Sequence, residues 1–380
     1  MLFLRVFSLL WMLTVCPLAI LLLVRCATSQ GAVFAIGALL LGITPGLMWM
    51  TFGWRWRRHA AVIAFGAWLL ITLWLVVVSP DGRSRESARV QNRGVHGAWH
   101  YQRAALGALL PEIDQFLLGF PLVPAVDPLF TRKQARSLSE LTKTIYAELD
   151  ADADFHALGS VMPDAYDEIW GRPFDHGHYF LYIPPRLDRK KPTPALVFLH
   201  GSGGNFKAYT WLLSRVANER GMVLIAPSFG IGNWKTELSS RVVTAALDDA
   251  AAVIPIDLNQ VHLAGLSNGG RGVSQVAASE ATQRFRSLIF LSPACDTEAL
   301  ASDRFATQWR NKPVLILTGE KDDRIPLSFV TSCAGIMRSA GAKVEMKTYA
   351  NADHFLFFSH RDELLEQLSA WLKEHSDPPP

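Results

Sequence analysis

The chain has 380 residues, half of them hydrophobic, and its 37 Lys and Arg nearly balance 34 Asp and Glu, leaving a formal charge of +3. That balance, with arginines gathered at the edges of apolar segments rather than along a surface, excludes nucleic acid as the partner the charge would select. The average conceals an apolar beginning and a mixed, motif-rich remainder. Residues 1–79 contain three long apolar runs, 7–24, 31–49 and 60–78. Each is near or above the ~18–20 residues needed to cross a hydrocarbon layer. A buried core helix is the alternative for any one of them; three in succession without an acidic residue point to a membrane anchor in contact with the lipid bilayer. The first run is long for a cleaved signal peptide, and Val24-Arg25-Cys26 lacks the small residues of a lipoprotein cleavage site, so a retained anchor is expected. Pro17 and Pro45 would kink their helices, which membranes tolerate. Trp49, Trp54 and Trp56 flank the second break as an interfacial belt would. Arg5 together with Arg55, Arg57 and Arg58 places that break in the cytoplasm and the remainder of the chain on the exoplasmic side; Arg83, Arg85, Arg89 and Arg93 pull the other way. The exoplasmic side is the expectation.

Residues 80–174 read as a helical connecting region. It opens polar and Arg-rich and then offers helices over 104–118 and 138–149. The apolar stretch 117–124 could pack on the following domain, lie in the membrane interface, or cover a site. The arginines that open the region could meet anionic headgroups, though a solvated linker is the plainer reading.

From 175 to 375 strands and helices alternate, which argues a mostly parallel sheet covered on both faces. Strands are expected at 178–183, 195–199, 223–226, 261–264, 288–291, 314–317 and 344–349, and helices at 206–219, 241–253, 270–278, 327–339 and 361–373. The strand at 195–199 runs into His200-Gly201-Ser202-Gly203-Gly204-Asn205, where glycines let backbone approach a ligand closely. The strand at 261–264 runs into Gly265-Leu266-Ser267-Asn268-Gly269, a G-x-S-x-G turn that lifts the serine side chain clear of the sheet to where a base can reach it. After 314–317 comes Thr318-Gly319-Glu320-Lys321-Asp322-Asp323-Arg324-Ile325-Pro326, and after 344–349 comes Ala350-Asn351-Ala352-Asp353-His354-Phe355. Phe229, Trp234 and Phe355 lie on loops at this end and either line a pocket or pack the core. Cys295 and Cys333 could pair in an oxidising compartment, but two unpaired thiols are expected. No metal-ligand cluster is expected: Asp175, His176 and His178 are too weak a pattern. Residues 376–380 are a tail.

These strings, in the order Ser, Asp, His, resemble the α/β-hydrolase superfamily over residues 175–375. Within it they look like the compact serine esterase branch, near polyhydroxybutyrate-depolymerase-like and dienelactone-hydrolase-like esterases. The resemblance implies an α/β-hydrolase fold, here preceded by the three-helix transmembrane region read from the apolar runs. It implies Ser267 as nucleophile, His354 as general base and Asp322 as its orienting acid, with Asp323 and Glu320 near enough to be confused with Asp322. Ser202 and Asn268 would supply the oxyanion N–H groups, and Gly201, Gly203, Gly204, Gly265 and Gly269 the close backbone turns. His200, at a strand end, reads as structural. The expected function is a membrane-anchored serine hydrolase cleaving a carboxylic ester of a small-molecule or polymeric substrate, with no cofactor and with oligomeric state open. The alternatives are a prolyl-oligopeptidase-type serine peptidase, a lipase or acyltransferase on membrane-borne substrates, and a catalytically inactive binding protein on the same scaffold.

Overall fold

The computed structural model describes residues 2–49, 55–82, 88–97, 103–171, 177–234 and 238–376. Trp54, Arg83, Arg85, Asp175, His176 and the tail from 377 lie outside the described residues. The chain divides into two compact units, one of residues 1–81 and 102–147, the other of 82–101 and 148–380.

In the first unit the three apolar runs form α1 (Leu2–Arg25), α2 (Ser29–Trp49) and α3 (Arg55–Val78). Each is long and apolar enough to cross a membrane. Pro17 and Pro45 sit inside α1 and α2 without ending them. Large apolar side chains such as Val24, Ile63, Leu70 and Val77 stand exposed, as lipid-facing positions do. The small residues turn inward. A Cβ on Gly42 would lie 2.7 Å from Cys16 Sγ of α1, and one on Gly37 2.9 Å from Ile71 Cγ2 of α3, so α2 is held between its neighbours by the close backbone approach that small residues permit in membranes.

The expected helix over 104–118 is broken in two, α4 (Leu106–Leu109) and α5 (Glu112–Gly119). Pro111 is the cause, because the residue before proline is driven out of the helical region; Leu110 is extended at φ −98°, ψ 121°. α5 carries Asp114, fully buried, whose carboxylate accepts Ala27 N–H at 2.6 Å and the Thr28 hydroxyl. The turn between α1 and α2 is thus capped from outside. Arg103 donates to Ser79 O at 2.8 Å and so satisfies a carbonyl at the end of α3, as basic side chains do at helix C-termini. The second expected helix lengthens to α6 (Arg132–Asp150).

The second unit is built on one eight-stranded sheet. Its strands are β1 (Val90–Gly94), β2 (His178–Tyr182), β3 (Thr193–Leu199), β4 (Val223–Pro227), β5 (Ile256–Leu266), β6 (Ser287–Leu291), β7 (Pro313–Gly319) and β8 (Lys343–Tyr349). They lie in the order β1-β2-β4-β3-β5-β6-β7-β8. β2 runs antiparallel to both its neighbours and every pairing from β4 onward is parallel. This is the α/β-hydrolase fold. Most of the parallel strands are apolar on both faces because both faces are covered. One face packs on α10 (Leu238–Val253), α11 (Asn268–Ala277) and α12 (Leu327–Ser339) through Val197, Leu263, Phe290 and Ile316. α9 (Lys207–Arg220) and α13 (Arg361–Ser376) pack against each other. The seven expected strands are present. β1, in the stretch read as a helical linker, is an addition: Arg93 donates to Tyr179 Oη at 3.1 Å and to Asp249 at 3.4 Å. Two short helices also lie there, α7 (Ala153–Ala157) and α8 (Met162–Ile169). The first holds β1 through Asp154, which accepts Arg89 N–H at 3.2 Å.

Candidate active site

The carboxyl ends of β3, β5, β7 and β8 carry the motif loops, the end of a parallel sheet where ligands bind. Ser267 follows β5 with φ 52° and ψ −118°. That backbone is strained, at about 1–3 kcal/mol for a non-glycine residue. Three hydrogen bonds hold it: Ser267 N–H to Leu291 O at 2.9 Å, and Ser267 O from Gly270 N–H at 2.8 Å and Ala294 N–H at 3.0 Å. At about 1 kcal/mol each they offset the strain. The flanking glycines make the turn possible by absence of bulk. A Cβ on Gly265 would meet Gly269 O, and one on Gly269 would meet Leu199 O.

His354 Nε2 lies 3.0 Å from Ser267 Oγ, and His354 Nδ1 lies 2.8 Å from Asp322 Oδ2. A carboxylate only accepts, so Nδ1 carries the proton and Nε2 is left as acceptor for the serine hydroxyl. Asp322 has a fully buried side chain and His354 a side chain only 9% exposed. Asp322 Oδ1 accepts Arg324 N–H at 3.0 Å and Ile325 N–H at 2.8 Å, which holds the carboxylate while its other oxygen meets the imidazole. Of its neighbours, Glu320 is exposed and accepts from Thr348 Oγ1 at 3.0 Å, and Asp323 is exposed. Ser267, His354 and Asp322 are brought together; Glu320 and Asp323 are not part of this chain of bonds.

The loop after β3 lies against the serine turn. A Cβ on Gly201 would sit 3.4 Å from Ser267 Cβ. Asn268 Nδ2 donates to Ser202 Oγ at 2.8 Å, joining the two residues expected to supply oxyanion donors. Asn268 is the first residue of α11, so its N–H has no acceptor within the helix. Gly203 N–H is taken by Ile231 O at 2.9 Å. Gly203 and Gly204 have φ of 104° and 132°, values open to glycine alone. Asn205 donates to Ala226 O at 2.8 Å and ties the far end of the loop to β4.

His200 is fully buried. Its Nδ1 donates to Gly201 O at 2.8 Å and its Nε2 accepts Phe229 N–H at 3.0 Å. Burial lowers its pKa to about 4, so it is a neutral strut between two loops. Phe229 and Trp234 stack at 4.6 Å and are buried in the core; they pack rather than line an opening. Phe355 is half-buried, edge-on to His354. His178 is buried between Ser228 Oγ at 2.6 Å and Asn92 Oδ1 at 3.2 Å, partners of a structural histidine. Cys295 and Cys333 are both buried free thiols.

Two features of this end of the sheet were not read from the sequence. One is the bracing of the loop after β3 by the 229–234 loop, whose Gly230 and Gly232 have positive φ; the string Gly-Ile-Gly between a strand and a helix was the available signal. The other is Glu168 of α8, which accepts Ile231 N–H at 2.6 Å and the Asn233 amide at 3.3 Å. Nothing local marks a lone glutamate for that role.

Residues 306–378 match the Prolyl oligopeptidase family, a stretch that includes Asp322 and His354 and stops short of Ser267. The chain is 22% identical over 272 residues to dipeptidyl-peptidase 5 of Porphyromonas gingivalis, a match covering 57% of this chain and 39% of that protein. The chain therefore spans well under half the length of that curated relative. Among solved structures it is similar to a thermostable esterase, at 19% identity and TM-score 0.44 over 53% of this chain and 59% of that one. It is also similar to butyrate-bound esterase 2 of Thermogutta terrifontis, at 18% identity and TM-score 0.43 over 53% of this chain and 91% of that one.

Proposed function

We propose that this chain is a membrane-anchored serine hydrolase that works through an acyl-enzyme on Ser267. The observation that carries the reading is the chain of bonds from Ser267 Oγ through His354 to Asp322, mounted on a strained turn. Ser267 Oγ attacks an acyl carbonyl while His354 Nε2 takes its proton; Asp322 holds the imidazole and stabilises its cation. The N–H groups of Asn268 and Ser202 receive the oxygen that becomes negative. His354 then returns the proton to the leaving group, and a water activated by the same nitrogen releases the acid and restores the serine.

Of the two bond classes, peptide cleavage of the prolyl-oligopeptidase type is supported ahead of the ester cleavage expected first from the sequence by the family match over residues 306–378 and by the likeness to a dipeptidyl-peptidase. Ester cleavage stands as the second reading on one observation, the His200-Gly201-Ser202-Gly203-Gly204 loop, which resembles the HGGG-type oxyanion loop of lipases and esterases. The same proposal puts the catalytic unit on the exoplasmic side, on the strength of Arg5, Arg57 and Arg58.

The test is labelling of the detergent-solubilised chain by a fluorophosphonate, read by intact mass. One adduct is expected on the wild type and none on Ser267→Ala. An unlabelled wild type sinks the hydrolase reading and leaves a binding protein on this scaffold. Peptidyl anilides compared with short acyl esters then separate the two bond classes.

A further inference from the structure

The loop expected to carry the Ser202 oxyanion donor is not self-supporting. Gly203 and Gly204 sit at φ 104° and 132°, so nothing in their own backbone preference holds the loop, and glycine is the residue with most freedom to leave such a conformation. Support comes from two sides. On one, α8 leans on the loop: a Cβ on Gly204 would be 3.2 Å from Met162 Sδ and 3.5 Å from Ala165 Cβ. On the other, the 229–234 loop holds it by Gly203 N–H to Ile231 O at 2.9 Å, Phe229 N–H to His200 Nε2 at 3.0 Å and Trp234 Nε1–H to His200 O at 2.9 Å. A Cβ on Gly232 would strike Gly201 O, so the two backbones touch.

Glu168 is the link between these supports. It stands on the last turn of α8. One carboxylate oxygen takes Ile231 N–H at 2.6 Å, and the other takes the Asn233 amide at 3.3 Å. Ile231 is therefore gripped on both sides, its N–H by Glu168 and its carbonyl by Gly203. A charged acceptor makes a backbone bond roughly twice as strong as a neutral one, which suits a clamp on a glycine loop.

We propose that Glu168 is a positioning residue for the acyl-transfer step: through Ile231 and Gly203 it fixes the Ser202 N–H where the tetrahedral oxyanion forms. It touches neither substrate nor Ser267. Its effect is on the transition state, because a preorganised donor acts where charge develops rather than on the ground-state carbonyl. The inference rests on the hydrolase reading and deepens it.

The experiment measures kcat and KM of the full-length solubilised chain, on whichever acyl ester or peptidyl anilide the wild type turns over, for Glu168→Ala and Glu168→Gln. A trifluoromethyl ketone serves as a mimic of the tetrahedral adduct. Loss of one oxyanion donor costs about 100–1,000-fold; a donor loosened rather than deleted is expected to cost roughly 10–100-fold in kcat, with KM within about twofold. The ketone should weaken by the same factor as kcat/KM. Glu168→Gln keeps an acceptor for Ile231 N–H and should recover to within roughly threefold. Should Glu168→Ala fail to fold, Glu168→Asp keeps the charge and withdraws the acceptor by one methylene, and the same selective fall in kcat is expected. Wild-type kcat in the Ala or Asp variant, a loss carried by KM alone, or no recovery in Glu168→Gln overturns the proposal while the hydrolase reading stands. A wild type inert to every acyl substrate and to the fluorophosphonate overturns both.

Discussion

Among the described residues, three histidines besides His354 are buried, and each is neutral for a stated reason. His178 and His262 are pushed down to about 3 and His200 to about 4, in every case chiefly by burial. The His200 ring lowers His178 further, and Arg286 and then His375 lower His262. In the unfolded chain each titrates near 6.5. The folded state then binds fewer protons than the unfolded state at any pH between. Stability is full above about 6.5 and falls as the medium acidifies toward 3–4, by up to roughly 1.4 kcal/mol per pH unit for each ring. His262 sits between Ser287 Oγ at 2.7 Å and Ser376 Oγ at 3.1 Å, apart from Ser267 and its partners. His262→Gln should therefore flatten the acid side of the thermal-midpoint profile between pH 6.5 and 5. Parallel profiles in the two proteins would refute this account. The histidine that joins Ser267 was separable from these three in the sequence by one property: it follows the last strand in a loop. His178 and His262 lie within strands, where their partners decide their state and the sequence is silent.

Between β5 and α11 the fold depends on an absent side chain. Gly269 faces Leu199 O and has His200 O at 3.0 Å from where a Cβ would be, so β3, the turn and the loop after β3 share one close contact. Gly269→Ala is expected to cost about 1–3 kcal/mol, as overpacking does, and to slow fluorophosphonate labelling because the push falls on both His200 and the serine turn. A variant with the wild-type thermal midpoint and labelling rate would show that the contact relaxes without consequence. This element was legible because one of its steric demands, Gly265 against Gly269 O, acts within five residues. Leu196, Val197 and Phe198 likewise declare a buried strand on their own. β1 does not. Val90-Gln91-Asn92-Arg93-Gly94 has one apolar residue, no alternation, and a place in the sheet decided by Tyr179, Asp249 and His178, all distant in sequence. α8 is a single acidic stretch with a short apolar face, and its importance comes from a loop some sixty residues later. Motifs that satisfy local constraints can be read; elements that satisfy someone else's backbone cannot.

At the scale of the whole chain, the proposed topology has three crossings, an odd number, and so puts the N-terminus and the catalytic unit on opposite sides of the bilayer. In that proposal Arg5, Arg57 and Arg58 lie on the cytoplasmic side, as the positive-inside rule expects. The opposing arginines include Arg89, paired with Asp152 and Asp154, and Arg93, paired with Asp249, so in the folded unit they serve the sheet. A membrane-impermeant amine reagent applied to intact cells should modify exposed Lys190 and Lys191, read by peptide mass. Modification only after permeabilisation would invert the topology.

The catalytic unit is discontinuous: it takes residues 82–101, gives up the chain for 102–147, and takes it back at 148. β1 belongs to the first visit and its partner β2 to the second, joined by backbone hydrogen bonds in register from Val90 with Tyr182 to Gly94 with His178. During synthesis the edge strand is therefore made early and waits for the rest of its sheet, so the domain cannot close until the excursion has been translated. The same arrangement governs shedding. A protease that nicks the excursion severs the covalent path to the sheet yet leaves the enzyme attached to its anchor through a β-ladder. Release of a free, intact enzyme requires a cut ahead of Val90.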